Sequence, residues 1–199
     1  MQNNNTLEHA ILLLSRLPSI GGRSSRRILF ELMKKREALL LPLISSLQNL
    51  ADNILHCKQC FNLDVNDPCH ICNNSTRNHK LICVVEDISS LWALERTKNY
   101  NGIYFVLGGQ LSARKGSMPQ DLHIDELLLR LNNEEIEELI LATSATLEGQ
   151  ITANYIHDNL EGKSFKISVL AQGIPVGGEI DYLDDITLST ALKLRNKML

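Results

Sequence analysis

Two Cys-x-x-Cys pairs place the strongest constraint on how this chain can fold. Cys57 and Cys60 form the first pair, and Cys69 and Cys72 form the second after eight intervening residues. Each pair can present two thiolates to one ion, and two such turns complete a tetrahedron. Because protein ligands then fill all four positions, the spacing predicts one structural zinc ion per chain. An iron–sulfur cluster is the alternative occupant.

The cellular compartment bears on this interpretation of the cysteines. The N-terminus has no basic stretch followed by an apolar run, so we expect no secretory signal and a cytoplasmic location. Thiols stay reduced there, which favours metal binding over disulfides. His56, His70 and His79 lie near the two pairs and are alternative ligands. Zinc would supply on the order of 10 kcal/mol to a stretch too short for its own core.

Positive charge is concentrated at the N-terminal end of the chain. The net charge of the 199 residues is −3, yet basic residues outnumber acidic ones seven to three within the first fifty. A basic segment on an acidic body suggests that one end of the protein meets a polyanion. A solvated helical face is the alternative interpretation.

A glycine turn between two predicted helices resembles a helix-hairpin-helix. Apolar spacing predicts a helix over 7–17 and another from Ser24 onward. We expect glycines of the turn to adopt positive φ and so allow close approach to a ligand, although the motif normally has a glycine where Ser19 stands. The second helix begins with unpaired N–H groups and the positive end of its dipole, which suits a phosphate.

Arginines reinforce this interpretation, because they add positive charge at a helix start where acidic residues would be stabilising. Such contacts hold the sugar–phosphate backbone without reading bases. The residues predicted to contact DNA are Gly21, Gly22, Arg23, Arg26 and Arg27. An ordinary αα-hairpin is the alternative.

Further along the chain, strands alternate with helices. A third N-terminal helix is predicted over 43–57. Beyond the cysteines, strands are predicted over 81–86, 103–107, 139–142 and 165–170, with helices over 88–99, 124–131 and 148–160 and a last helix from about Ile186. This alternation predicts a parallel sheet with right-handed crossovers.

Polar residues follow the first and third of these strands, where open parallel sheets carry their sites. Glu86 ends the first strand, and Ser144, Thr146 and Glu148 follow the third. The arrangement resembles a Toprim domain, the module of primases and type IA topoisomerases. That resemblance implies an Asp-x-Asp pair holding Mg²⁺ and a glutamate that moves a proton. Here Ser144 and Thr146 stand at the aspartate positions.

Magnesium prefers anionic oxygen ligands, so Glu86 and Glu148 alone make a poor catalytic site. We therefore predict no phosphoryl transfer and no enzymatic activity. Glu86 would either bind local backbone or contact a partner.

The order of these modules resembles the RecR family of bacterial recombination mediators. The most specific stretches are 84–86, 104–109, 140–143, 148–149, 152–153 and 173–179. The sequence departs from the family pattern at 112–113, 144–145 and 150. The resemblance implies a multidomain α/β fold. Its parts are a helix-hairpin-helix region (1–54), a four-Cys zinc finger (55–78), a Toprim domain (79–173) and a C-terminal oligomerisation segment (174–199).

The same resemblance implies a role. Such proteins are non-enzymatic mediators of DNA repair that bind single- and double-stranded DNA irrespective of sequence. With RecO, and in many bacteria RecF, they load RecA at single-stranded gaps and breaks. They form homo-oligomers, either dimers or ring-like tetramers, and would be associated with the nucleoid. The Toprim surface, including the four residues that follow its strands, is implied to meet RecO. A Toprim-type metal-dependent nuclease or topoisomerase, or an adaptor that binds RecO without DNA, are the alternatives.

Overall fold

The computed structural model describes residues 4–195 and consists of two units, Met1–Ile54 and Leu55–Leu199. The first three residues of the predicted segment 1–54 and the last four of the predicted segment 174–199 lie outside the described residues. None of the described helices is both long enough and apolar enough to cross a bilayer.

The first unit is helical. It contains α1 (Asn4–Ser15), α2 (Gly22–Lys34) and α3 (Leu41–Asn53), with a π-helical turn at Arg36–Leu40 between the last two. The prediction of α1 to residue 17 was too long, because the backbone before Pro18 is disfavoured in helical conformation. The predicted helix over 43–57 also ends early, since Ile54 is already extended (φ −68°, ψ 133°).

Much of the apolar surface of this unit is uncovered within the described chain. Ser25, Leu29 and Leu32 are the buried residues of α2, whereas α3 buries none of its residues. Ile44 and Leu47 on α3 are more than half exposed. Exposed apolar patches of this kind mark interaction surfaces.

The second unit begins with a small antiparallel pair, β1 (Leu55–His56) and β2 (Leu63–Asp64). A four-stranded parallel sheet follows, ordered β4-β3-β5-β6. Its strands are β3 (Asn78–Val85), β4 (Gly102–Val106), β5 (Glu138–Ala142) and β6 (Lys166–Val169). The predicted α/β architecture with a parallel sheet is confirmed.

Helices connect and follow the strands. They are α4 (Ile88–Glu95), α5 (Ile124–Asn133), α6 (Leu147–Asp158) and α7 (Asp185–Lys193). The prediction of α4 to residue 99 was too long, because Lys98 takes the left-handed conformation (φ 56°) that follows a helix end. Helices on a parallel sheet bury its strands on both faces, and every residue of β4 is buried.

The strand order positions the candidate site. The chain passes from β3 outward to β4 and then back to β5 on the other side of β3. Val85 and Ala142 are therefore paired neighbours at the carboxyl ends of β3 and β5. Ligands of open α/β sheets bind where the strand order reverses in this way. Glu86 and the loop after β5 lie at that point.

The C-terminal part of the second unit is exposed. None of the residues of α7 is buried, and Val176, Tyr182 and Ile186 are almost completely accessible. Asp184 caps α7 by accepting from the N–H groups of Ile186 and Thr187. The segment is thus locally ordered but has little apolar cover within the described chain.

Candidate functional site

The four cysteines converge on one buried point. Their Sγ atoms all lie within 4.8 Å of one another. Cys57, Cys60 and Cys69 are fully buried, and Cys72 is 5% exposed. Tetrahedral zinc with bonds of about 2.3 Å would separate neighbouring sulfurs by roughly 3.8 Å. The observed 3.6 Å between the Sγ atoms of Cys60 and Cys69 fits that geometry.

The electrostatics of the cluster also favour a cation. The hydrogen bond between Cys60 and Cys69 raises the pKa of Cys60 and lowers the pKa of Cys69. Four buried sulfurs this close together cannot all carry negative charge without a cation among them. A divalent ion removes this conflict by holding all the ligands as thiolates.

The histidines considered as alternative ligands are engaged elsewhere in the described chain. His70 Nδ1 lies 2.6 Å from Asp64 Oδ2, and His79 Nε2 lies 3.1 Å from the carbonyl oxygen of Asn74. His56 Nδ1 lies 3.4 Å from the carbonyl oxygen of Phe61. The metal cluster found among the described residues consists of the four cysteines alone.

Glu86 is held at the carboxyl edge of the sheet and is only 6% exposed. Its Oε1 accepts the backbone N–H of Ser144 at 2.7 Å. Its Oε2 accepts the Ser144 hydroxyl at 2.7 Å and the Gln110 amide at 2.5 Å. Glu86 therefore binds backbone, which is one of the two alternatives, but the N–H belongs to Ser144, 58 residues away in sequence. Ser144 therefore donates hydrogen bonds to Glu86 from a position at which the Toprim pattern has a metal-binding aspartate.

The remaining polar residues of this edge have local structural partners. Thr146 caps α6 by accepting the N–H of Gly149 at 3.2 Å. Glu148 Oε1 lies 3.8 Å from Arg114 Nη2. Gly149 is required sterically, because an added Cβ would lie 2.1 Å from the carbonyl oxygen of Ser144 and 3.0 Å from Glu86 Oε1. Close packing thus fixes the loop that holds Glu86.

The glycine hairpin differs from expectation in one respect. Gly21 has φ −89°, and Gly22 is the first residue of α2. The residue with positive φ is Ser19, at 64°. The prediction of positive φ at the glycines was therefore wrong, and the left-handed position is the one where the motif normally has glycine. The two glycines contribute open space, since a Cβ at either would meet nothing within 4 Å.

The start of α2 is uncapped and basic. Its N-cap, Gly21, offers no side chain, and the first turn contains no acidic residue. Arg23, Arg26 and Arg27 are exposed and form no ion pair with any described residue. Ser25 Oγ donates back to the carbonyl oxygen of Gly21 at 2.9 Å, which ties the turn to the helix.

Comparison with known families covers most of the chain. The RecR four-cysteine zinc finger domain matches residues 54–74, the Toprim domain matches 80–171, and the RecR C-terminal model matches 173–196. The recombination protein RecR of Bradyrhizobium sp. (strain ORS 278) is 51% identical over 189 residues, covering 95% of each chain. That of Sphingopyxis alaskensis is 48% identical over 189 residues, covering 95% of this chain and 96% of the relative. That of Xanthobacter autotrophicus is 46% identical over 192 residues, covering 96% of each.

The chain belongs to the RecR family. Membership places it in DNA recombination and repair. The match to the RecR four-cysteine zinc finger, together with the four converging sulfurs, assigns one structural zinc ion to the cysteine cluster. When bound, the ion would cross-link the two Cys-x-x-Cys turns and leave no coordination position for a substrate.

Two aspartates that support the zinc turns in this RecR-family chain were missed by the sequence interpretation. Asp67 Oδ1 accepts the N–H of Lys58 at 2.9 Å, and Asp64 Oδ2 accepts the N–H of His70 at 2.8 Å. Each carboxylate therefore holds the residue that follows the first cysteine of a pair. Burial raises the pKa of Asp64, but the hydrogen bonds donated by His70 and its other partners outweigh burial and lower it. The signal was two acidic residues in the short loop between the pairs.

Proposed function

We propose that this RecR-family chain binds the sugar–phosphate backbone of DNA through the start of α2 and acts as a non-enzymatic mediator. In this proposal it works with RecO, and with RecF where present, to load RecA at single-stranded gaps and breaks. The observation that carries the proposal is an uncapped helix start whose three arginines are exposed and unpaired among the described residues. An arginine cluster without acidic partners is suited to polyanions.

The geometry of the hairpin supports phosphate binding rather than base reading. The first N–H groups of α2 and the positive end of its dipole favour an anion. Gly21 and Gly22 leave the approach open, because neither has a side chain. Arg23, Arg26 and Arg27 lie within the first two turns of the helix. Contacts of this kind are independent of sequence, so single- and double-stranded DNA are both proposed ligands.

The hydrogen bonds of Glu86 support a role without phosphoryl transfer. Ser144 donates to both carboxylate oxygens, and Gln110 donates to one. A catalytic magnesium ion would need those oxygens and further anionic ligands. The two positions at which the Toprim pattern has aspartates carry only hydroxyl groups.

Exposed apolar residues support the proposed partners. Leu147 is 70% exposed at the start of α6, beside Ser144, Thr146 and Glu148, and this is the proposed RecO surface. The uncovered faces of α3 and of the C-terminal segment are proposed to bind other copies of the chain, as a dimer or ring-like tetramer. The proposal thus assigns DNA contact to 1–54, zinc binding to 55–78, RecO binding to 79–173 and assembly to 174–199 together with α3.

The test is a DNA-binding titration by fluorescence anisotropy. Fluorescent single- and double-stranded oligonucleotides of unrelated sequence are titrated with the parent and with the Arg23→Ala/Arg27→Ala variant. A charge-assisted hydrogen bond contributes roughly 1.5 kcal/mol, so two losses should weaken binding about a hundredfold for every sequence. Arg36→Ala is the matched control, because that exposed arginine already pairs with Glu37 at 2.8 Å.

Equal affinity of the parent and the double variant would refute the DNA-binding part of the proposal.

The RecO part is tested separately by co-elution of the two proteins in size-exclusion chromatography. Leu147→Asp should abolish co-elution and leave DNA affinity unchanged. Retention of RecO by that variant would contradict the proposed surface.

A further inference from the structure

Arg130 connects helix α5 to the first cysteine turn. Its side chain is only 9% exposed, and its Nη1 donates to the carbonyl oxygen of Gln59 at 2.7 Å. Gln59 lies inside the Cys57-x-x-Cys60 turn and is 71 residues away from Arg130 in sequence. The other edge of the guanidinium donates through Nε to both carboxylate oxygens of Glu134, at 3.1 and 3.0 Å.

The neighbouring carbonyl of the same turn is held by the sheet. The carbonyl oxygen of Cys60 accepts the N–H of Val106 at 2.8 Å. Val106 ends β4, which is an outer strand of the sheet, so the cysteine turn covers part of that edge. Uncovered edge strands are liable to pair with other chains, and such a cover prevents this.

An aromatic contact holds the residue that follows. The ring of Phe61 stacks on the ring of His123, with centroids 3.7 Å apart and planes 10° apart. The same phenyl ring meets Phe105 of β4 edge-on at 5.5 Å. Gln59, Cys60 and Phe61 are therefore each held by a residue from the sheet or from the segment of α5.

We propose that Arg130 is a positioning residue for the zinc site. Fixing the Gln59 carbonyl restricts the peptide units between Cys57 and Cys60, so the two sulfurs are oriented before the ion binds. Residues that orient metal ligands in this indirect way commonly change metal affinity ten- to a hundredfold when removed. Arginine suits the role because its planar fork binds Glu134 along one edge while it donates to Gln59 from the other.

The proposal is tested on the full-length, zinc-loaded protein. The rate of zinc transfer to a chromophoric chelator is measured for the parent, Arg130→Ala and Arg130→Lys. We expect about tenfold faster release from the alanine variant and partial rescue by lysine, which keeps a cationic donor but lacks the planar fork. Arg96→Ala is the control and should release zinc at the parental rate, since Arg96 is exposed and its side chain has no partner among the described residues.

A different result is expected if Arg130 only pairs with Glu134 and does not position the zinc ligands. Zinc release from Arg130→Ala would then equal that of the parent while far-UV circular dichroism stayed unchanged, and this outcome overturns the proposal. If Arg130→Ala does not fold, Glu134→Gln decides the question, because it weakens the bonds that hold the guanidinium beside the cysteine turn and so loosens its contact with Gln59. Release several-fold faster than the parent from that variant supports the proposal, and parental release overturns it.

Discussion

Replacing Gly149 by alanine should destabilise the second unit by disrupting the loop that holds Glu86. The added Cβ would lie 2.1 Å from the carbonyl oxygen and 2.9 Å from the carbonyl carbon of Ser144. These are backbone atoms, so the Ser144 segment must move, and its two hydrogen bonds to Glu86 would be lost.

The magnitude follows from those two bonds. A hydrogen bond to a charged group contributes about 1.5–3 kcal/mol, so losing both costs roughly 3–6 kcal/mol. Alanine recovers about 1 kcal/mol through its higher helix propensity, because Gly149 lies in the first turn of α6. The expected net loss is about 2–5 kcal/mol in the free energy of unfolding.

Urea denaturation measures this loss. Far-UV circular dichroism reports both units, and the fluorescence of Trp92, the single tryptophan of the sequence, reports the second. Gly22→Ala is the matched control, since it also lies in a first helical turn but meets nothing within 4 Å. A Gly149→Ala variant within about 0.5 kcal/mol of the parent would refute the reasoning, because that range covers ordinary surface substitutions.

Three further predictions concern the zinc ion, the hairpin and a helix cap. Metal analysis should return about one zinc per chain, and Cys60→Ser should lose the ion together with the fold of the second unit, as seen in circular dichroism. Parental zinc content in that variant would contradict the four-sulfur site. Ser19→Gly should raise the free energy of unfolding by about 0.5–1 kcal/mol in urea denaturation, because glycine adopts a φ of 64° without steric cost. A free energy of unfolding below that of the parent would exclude strain at Ser19. The N–H of Ser90 lowers the pKa of Asp87 by bonding to its carboxylate at the start of α4. The folded-state pKa of Asp87 is below the unfolded-state one. The stabilisation that this hydrogen bond gives the folded protein is therefore present above about pH 4 and is lost as pH falls through the folded-state pKa. Asp87→Asn should therefore reduce the dependence of the free energy of unfolding on pH below about pH 4. An unchanged dependence would contradict the prediction.

The zinc cluster could be predicted from the sequence, because ligand chemistry and spacing were sufficient to identify it. The groups that support it could not. Asp64 and Asp67 lie in the loop between the pairs and accept N–H groups of the two cysteine turns, and the path of that loop is not evident from residue types. Arg130 reaches the site from a helix 71 residues away, which is a consequence of tertiary packing.

In the sheet and the hairpin, too, some features could be predicted from the sequence and others depended on tertiary structure. Apolar runs predicted the parallel strands to within three residues at each end, whereas α4 ends before its predicted limit, where Lys98 is left-handed. The loss of the Asp-x-Asp pair was evident in the sequence, whereas the bonds from Ser144 to Glu86 required the pairing of β3 with β5. At the hairpin, the conformational freedom of glycine predicted positive φ at the glycines of the turn, and the turn has it at Ser19 instead.

The salt dependence of DNA binding tests the central claim most directly. Each phosphate neutralised by an arginine contributes about 0.9 to the slope of log K against log salt for duplex DNA, and about 0.7 for single strands. Removing Arg23 and Arg27 together should therefore lower the magnitude of the duplex slope by about 2 relative to the parent and to Arg36→Ala. An unchanged slope across the salt series would show that the start of α2 does not hold the DNA backbone.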